Sequence, residues 1–141
     1  MKPADVESLE RSTVEGVAPA KVLEIAGWLV ALGDGAIRRA KTAAPLRHDV
    51  GPAALNDIEA AYWTKGLPPA FRIAETPGLK AVRDALTQRG YVSEIPTVVK
   101  VGDVGRLAAV RDKPGELLTE PDEAWAAVFL GEGFDAAEEA S

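Results

Sequence analysis

The 141-residue sequence contains no cysteine and one histidine, His48. Without thiols the chain can form neither disulfides nor thiolate metal sites, and one imidazole cannot build a histidine cluster. No apolar run approaches the roughly 18 residues of a membrane span, and the N-terminal residues lack the apolar core of a signal peptide. We therefore expect a cytoplasmic protein with no metal site and no membrane association.

Basic residues are also scarce relative to acidic ones. Sixteen Lys and Arg stand against 22 Asp and Glu, so the net charge is -6. Such a charge repels a polyanion unless the basic residues are gathered on one face, and we expect no nucleic-acid partner. The chain has the length of one ordinary domain, enough to bury roughly 70% of its surface without disulfides or metals.

Apolar side chains three and four residues apart predict helices. The first is expected from about Asp5, whose carboxylate would cap the following amides, to just before Gly16. Two more are expected after Pro52 and after Pro77, ending at Gly66 and Gly90. Their apolar stripes consist of Leu55, Ile58 and Tyr62 in one helix and of Leu79, Val82 and Leu86 in the other.

Strands are predicted between these helices. Residues 28–32 and 36–42 read as a hairpin joined by Gly33-Asp34-Gly35, because an Asp-Gly pair readily adopts the positive φ angles of a tight turn. Further strands are expected at 22–25, 71–74, 91–101 and 107–110. The order of elements predicts an α/β (α+β) fold with a mostly antiparallel central sheet flanked by helices.

The amino-acid composition changes after residue 102, where Asp, Gly and Pro become frequent. We therefore divide the chain into a main domain (1–102), a linker with a possible short strand (103–120), and a terminal helix with an acidic tail (121–141). The last helix is expected to start at Thr119 and to bury an apolar face. That face consists of Trp125, Val128 and Phe129.

Several segments, taken in their order and spacing, resemble the GNAT superfamily of acyl-CoA-dependent N-acetyltransferases. They are residues 9–11, 27–46, 58–59 with Tyr62, 66–72, 86–91 and 96–98. More narrowly, they resemble the N-terminal half of members with two GNAT-like domains in tandem, and residues 121–135 resemble the start of the second domain. The resemblance implies a GNAT-like fold, acetyl-CoA as cofactor, and a second GNAT domain or a second copy of the chain as partner.

The resemblance also implies that residues 45–52 form the cofactor loop. In competent members this loop follows an Arg/Gln-x-x-Gly-x-Gly/Ala pattern, whose small residues let backbone amides approach the CoA pyrophosphate. Here only Gly51 remains, Pro52 has no N–H, and Asp49 adds a negative charge. The residues left for cofactor binding are Arg47, His48 and Gly51.

The family's usual acid is also missing. Many members carry a tyrosine that protonates the leaving thiolate, and alignment on Gly90-Tyr91 puts Leu86 at that position. His48 beside Asp49 could form a general base, but no nucleophile accompanies it. Glu59 and Glu75 could serve as bases only beside a substrate groove. No catalytic residue is assigned.

Three functions remain open at this stage. The first is a degenerate N-terminal half that supports a catalytic, acetyl-CoA-binding partner domain and is not catalytic alone. The second is a stand-alone minimal acetyltransferase acting on a small amine. The third is a non-enzymatic interaction module that docks through apolar surface around Trp63, Leu67 and Trp125.

Overall fold

A computed structural model describes residues 2–33, 35, 37–109, 119–120 and 122–129. The described residues fall into two compact units, one within Met1–Val92 and the other within Ser93–Ala140. The division at residues 102 and 120 stays a prediction. None of the helices within the described ranges is long and apolar enough to cross a membrane.

The first unit contains three α-helices: α1 (Pro3–Glu15), α2 (Leu55–Thr64) and α3 (Lys80–Gln88). Short 3-10 turns, Pro52–Ala54 and Pro77–Leu79, lead into α2 and α3. The predicted apolar stripes are buried in one core, with Leu55, Ile58, Tyr62, Leu79, Val82 and Leu86 all among its members. Gly66 and Gly90 follow the two helices with positive φ angles of 69° and 87°, so the predicted helices and their ends are confirmed.

The start of α1 differs from the prediction. Its N-cap is Lys2, and Asp5 lies inside the first turn, where its carboxylate accepts a 2.8 Å hydrogen bond from the backbone N–H of Lys2. The expectation that Asp5 is the cap is therefore wrong. Pro3 explains the earlier start, because its fixed φ suits the first helical position and its missing N–H is not needed there.

A three-stranded antiparallel sheet forms the centre of the first unit. Its strands are β1 (Val22–Ile25), β2 (Trp28–Ala31) and β3 (Ala43–Pro45), in the order β1-β2-β3. Strand β2 is buried along its whole length. Trp28 and Val30 pack into the core with α2 and α3, and Leu29 and Ala31 cluster with Val14 of α1 on the other face. This sheet and its helices confirm the mixed α/β class and are compatible with a GNAT-like fold.

The hairpin of the sheet is not where the sequence suggested. The turn between β1 and β2 consists of Ala26 and Gly27, both with positive φ (47° and 79°), as in a type I′ turn. The predicted return strand at 36–42 is wrong: Arg38–Lys41 is a 3-10 turn, and β3 follows it. Of the predicted turn at 33–35, Asp34 lies outside the described residues, as does Ala36.

The predicted strand at 71–74 is reduced to a single parallel bridge between Phe71 and Ala43. The N–H of Ala43 donates to the carbonyl of Ala70, and the N–H of Arg72 donates to the carbonyl of Ala43, both at 2.8 Å. Helix α2 connects these two parallel segments. Its N-terminus therefore follows the carboxyl end of β3, the edge where ligands bind in many α/β sheets.

The second unit contains α4 (Val104–Ala109) and α5 (Glu123–Phe129). No strand forms over 91–101, and 107–109 belong to α4, so both strand predictions are wrong for the described residues; Val110 lies outside them. Asp122 accepts a 2.7 Å hydrogen bond from the N–H of Trp125, which explains why the last helix starts at Glu123 rather than at Thr119. The predicted acidic tail lies outside the described residues, and so do the side chains of Val128 and Phe129.

Candidate functional site

The segment implied to bind the cofactor runs from β3 to α2, and we call residues 45–52 the 45–52 loop. Its beginning is fixed by the sheet: the N–H of Leu46 donates to the carbonyl of Gly27 at 2.9 Å, and the Leu46 side chain is buried. Its end is the N-cap of the Pro52–Ala54 turn. All three residues predicted to bind the cofactor are on this loop: Arg47 and His48 lie between these anchors, and Gly51 is the N-cap itself.

Arg47 is engaged by a carboxylate of its own loop. Its Nε donates to Asp49 Oδ1 at 2.9 Å, and its Nη2 donates to Asp49 Oδ2, with both side chains more than half exposed. The hydrogen bonds from Arg47 lower the pKa of the Asp49 carboxyl below its ordinary value and raise that of the guanidinium. The positive charge expected to meet a phosphate is therefore already paired with an acid.

His48 contributes its backbone more than its imidazole. A β-carbon placed on Gly78 would lie 1.9 Å from the His48 carbonyl oxygen, so the loop packs directly on the turn that begins α3. Both oxygens of the Asp49 carboxylate accept hydrogen bonds from Arg47, and among the described residues no hydrogen bond joins His48 to Asp49. Sequence reasoning missed Gly78, and the only signal for it was a glycine directly after a helix-initiating proline.

Gly51 needs no special backbone conformation. Its φ of -93° and ψ of 179° are available to any residue, and a β-carbon there would meet nothing within 4 Å. The next residue, Pro52, donates no N–H, and the first turn of α2 carries Asp57. A carboxylate at that end favours cations over anions locally, so the start of α2 is poorly suited to a phosphate.

The carboxylate of Glu59, considered above as a base, accepts hydrogen bonds from two side chains. Arg89 donates to its Oε2 at 2.7 Å and the Tyr91 hydroxyl donates to its Oε1 at 3.0 Å, which ties α2 to the end of α3. Burial and the hydrogen bond to Glu59 raise the pKa of Tyr91 to about 12. The Tyr91 ring packs edge-on against Phe71 with centroids 5.2 Å apart. Glu59, Arg89 and Tyr91 therefore hold α2 and the end of α3 together, which is a structural role.

A cavity of about 310 Å³ opens elsewhere in the first unit. Val14, Val22 and Leu29 form its apolar wall, and Arg11 and Glu15 are also at its lining. None of the three predicted cofactor residues lines this cavity. Over the described ranges, no group of three or more His, Asp or Glu side chains is placed to hold a metal ion.

Comparison with known families supplies the identity that geometry alone does not. The family model described as "Probable histone acetyltransferase Rv0428c C-terminal" matches residues 3–137. The chain belongs to this family. Its predicted relationship to acetyltransferases is confirmed at that level. Membership of the GNAT superfamily and a position at the N-terminal side of a tandem stay predictions. No curated protein and no solved structure matches the chain.

Proposed function

We propose that this chain is a non-catalytic, GNAT-like half of an N-acetyltransferase. It braces the substrate groove of a partner domain that binds acetyl-CoA and carries the catalytic groups. Membership of an acetyltransferase-related family supports the enzyme class. The antiparallel sheet, together with the parallel crossover from β3 through α2 to Phe71, supports the mixed architecture that the proposal requires.

The pairing of Arg47 with Asp49 carries the proposal. A loop that binds a pyrophosphate presents amide N–H groups and uncompensated positive charge at a helix start. In the 45–52 loop the cation is matched by a carboxylate two residues away, and the first helical position is a proline. The residues present therefore do not fit the pyrophosphate of acetyl-CoA.

The partner domain needs a docking surface on this chain, and we propose that Trp63 is part of that surface. This side chain lies on α2 but outside the buried stripe, and it is 63% exposed. Tryptophan is enriched at protein interfaces because one side chain buries a large area at little entropic cost. The same observation favours the third candidate, a non-enzymatic interaction module, for which family membership gives no support.

Isothermal titration of the chain with acetyl-CoA tests the proposal. We expect no measurable binding, and micromolar affinity for the chain alone would contradict it. The Asp49→Asn variant is the matched control, because it removes the loop's negative charge and keeps the side-chain shape. Binding gained only in that variant would identify Asp49 as the group that excludes the cofactor.

The second candidate is a stand-alone acetyltransferase that uses Arg47, His48 and amides near Gly51. One observation favours it: the loop lies at the carboxyl end of β3 and at the start of α2, where α/β sheets bind anions. A thiol-release assay with a panel of small amines distinguishes it. Because the chain has no cysteine, every thiol detected comes from CoA. Turnover that falls in Arg47→Gln would favour this candidate over the supporting role.

A further inference from the structure

Residues 93–101 of the second unit are rich in β-branched side chains, yet they form no strand with any described residue. The large apolar side chains of this segment are between 66% and 78% exposed; they are Ile95, Val98, Val99 and Val101. When it is extended, an exposed apolar segment of this kind is a template for pairing with another strand. The segment therefore has the composition of a strand that lacks its neighbour.

The sequence of this segment is complementary to itself. When two copies are aligned antiparallel about Thr97, Glu94 falls opposite Lys100 and Ile95 falls opposite Val99. Opposite charges directly across from each other stabilise antiparallel strands, and β-branched residues such as Ile and Val are enriched in strands. The two-fold symmetry repeats each pair, so both charges of each copy meet an opposite charge.

We propose that residues 93–101 pair with the same segment of a second copy of this chain, as antiparallel strands centred on Thr97. The interface is then isologous, with the same patch used by both subunits. The charge pattern favours a second copy of this chain as the partner. In a single register, Lys100 of the second copy lies opposite Glu94, and its Glu94 lies opposite Lys100. The pairing goes beyond the proposed function and does not depend on it.

Pro96 is compatible with this register. It falls opposite Val98, and that pair is of the non-hydrogen-bonded type when the Thr97 pair is hydrogen-bonded, since the two types alternate along antiparallel strands. The position that lacks an N–H then faces away from the partner strand. A proline is tolerated there because no ladder hydrogen bond is lost.

The backbone conformation of Ile95 in the single chain also favours extension of the segment when two copies pair. Its φ of 41° is in the left-handed region, which is strained for a β-branched residue and disfavoured directly before proline. The hydroxyl of Thr97 donates to the Ile95 carbonyl at 3.3 Å within this bend. Extension of the segment relieves the strain at Ile95. Glu94 already interacts within its own chain. On pairing, that interaction is replaced by the one with Lys100 of the second copy.

Charge reversal tests the pairing in solution. Sedimentation equilibrium over a concentration series is expected to show a reversible dimer for the wild-type chain. Glu94→Lys and Lys100→Glu are each expected to weaken it roughly tenfold or more, and the double exchange to restore it. Glu75→Lys, on an exposed side chain of the first unit, is the control and should have no effect. A monomer at every concentration, or a dimer insensitive to both single exchanges, overturns the proposal.

Cysteine cross-linking tests the register independently, because the chain contains no cysteine of its own. Thr97→Cys should form an intermolecular disulfide on mild oxidation, since the two copies of this residue face each other at the symmetry axis. Ser93→Cys alone should not, because its two copies lie about 27 Å apart. A mixture of Ser93→Cys and Val101→Cys should cross-link. Equal cross-linking of Ser93→Cys alone and Thr97→Cys would overturn the register.

Discussion

Gly78 lies so close to His48 that a β-carbon at position 78 would come within 1.9 Å of the His48 carbonyl oxygen. The obstructing atoms belong to the backbone, so no side-chain rotation can make room. This contact joins the 45–52 loop to the start of α3. The loop's position therefore depends on a glycine that lies outside the loop.

Gly78→Ala is expected to destabilise the first unit by about 1 to 3 kcal/mol, because the loop or the turn must move to admit the methyl group. Urea denaturation measures the loss. Gly51→Ala is the matched control, since a β-carbon there meets open space and the backbone angles suit alanine. It should be neutral or slightly stabilising, by up to about 1 kcal/mol. Equal stability of the two variants would contradict the steric argument.

The ion pair between Glu10 and Arg72 connects α1 to the segment that carries Phe71. The Glu10 side chain is only 15% exposed and that of Arg72 26%. Removal of one partner leaves the other charge in a largely desolvated position, so Glu10→Gln is expected to cost about 1 to 3 kcal/mol of unfolding free energy.

Thermal and urea unfolding of Glu10→Gln should be compared with that of Asp84→Asn. Asp84 accepts a 2.6 Å hydrogen bond from Lys80 one helical turn away, but both side chains are more than half exposed. Loss of such a surface pair is expected to cost at most about 0.5 kcal/mol. If the two variants lose the same stability, burial does not strengthen the Glu10–Arg72 pair.

Tyr62 couples α2 to β2 and makes stability depend on alkaline pH. Its hydroxyl donates to the carbonyl of Ala31 at 3.0 Å in the core, and burial raises the pKa of Tyr62 well above its ordinary value near 10. Below pH 10 the phenol is protonated in both states, so its contribution is complete. Above that pH the unfolded phenol ionises first, and the free energy of unfolding falls.

Urea denaturation between about pH 8 and about pH 11 measures this fall. Tyr62→Phe should be less stable by about 1 to 3 kcal/mol near neutral pH, because the Ala31 carbonyl loses its partner, and its pH dependence should be flatter. Tyr91, the other tyrosine of the sequence, also has a raised pKa, of about 12, so Tyr91→Phe should flatten the curve further. An unchanged slope in both variants would contradict the assignment.

The helices and the buried stripe of the first unit could be predicted because the signals are local. Leu55, Ile58 and Tyr62 recur at helical spacing, and proline and glycine mark the helix ends. The hairpin was predicted incorrectly because two Gly-containing turns competed. Ala26-Gly27 forms the tight turn, and Ala-Gly is a weaker sequence signal for it than Asp-Gly.

The strand predicted over 91–101 rested on composition, and composition does not say whether a partner strand is present. A β-rich segment becomes a strand only when a neighbour takes its hydrogen bonds, which is a tertiary property. The candidate site shows the same limit. The 45–52 loop and its poor fit to phosphate are predictions from the sequence, but the Arg47–Asp49 pairing and the contact with Gly78 depend on geometry that spacing does not reveal.

The pairing of Arg47 with Asp49 should be visible as a shifted titration of the carboxyl. Nuclear magnetic resonance of the Asp49 side-chain carbon is expected to give a pKa below the ordinary aspartate value, because Arg47 donates to both carboxylate oxygens. Since the folded-state pKa is the lower one, any stabilisation from this group is present above the ordinary value and is lost as the pH falls through the folded one.

Arg47→Gln should return the pKa of Asp49 toward its ordinary value, because the charged donor is removed and a neutral one of similar length replaces it. Arg39→Gln, at an exposed position of the 3-10 turn before β3, is the matched control and should leave the titration unchanged. Both side chains of the pair are exposed, so added salt should also move the pKa of Asp49 upward in the wild-type chain. A titration that responds to neither Arg47→Gln nor salt would mean that the guanidinium is not bound by Asp49. It would then be available to a phosphate, and the main argument against cofactor binding at this loop would fail.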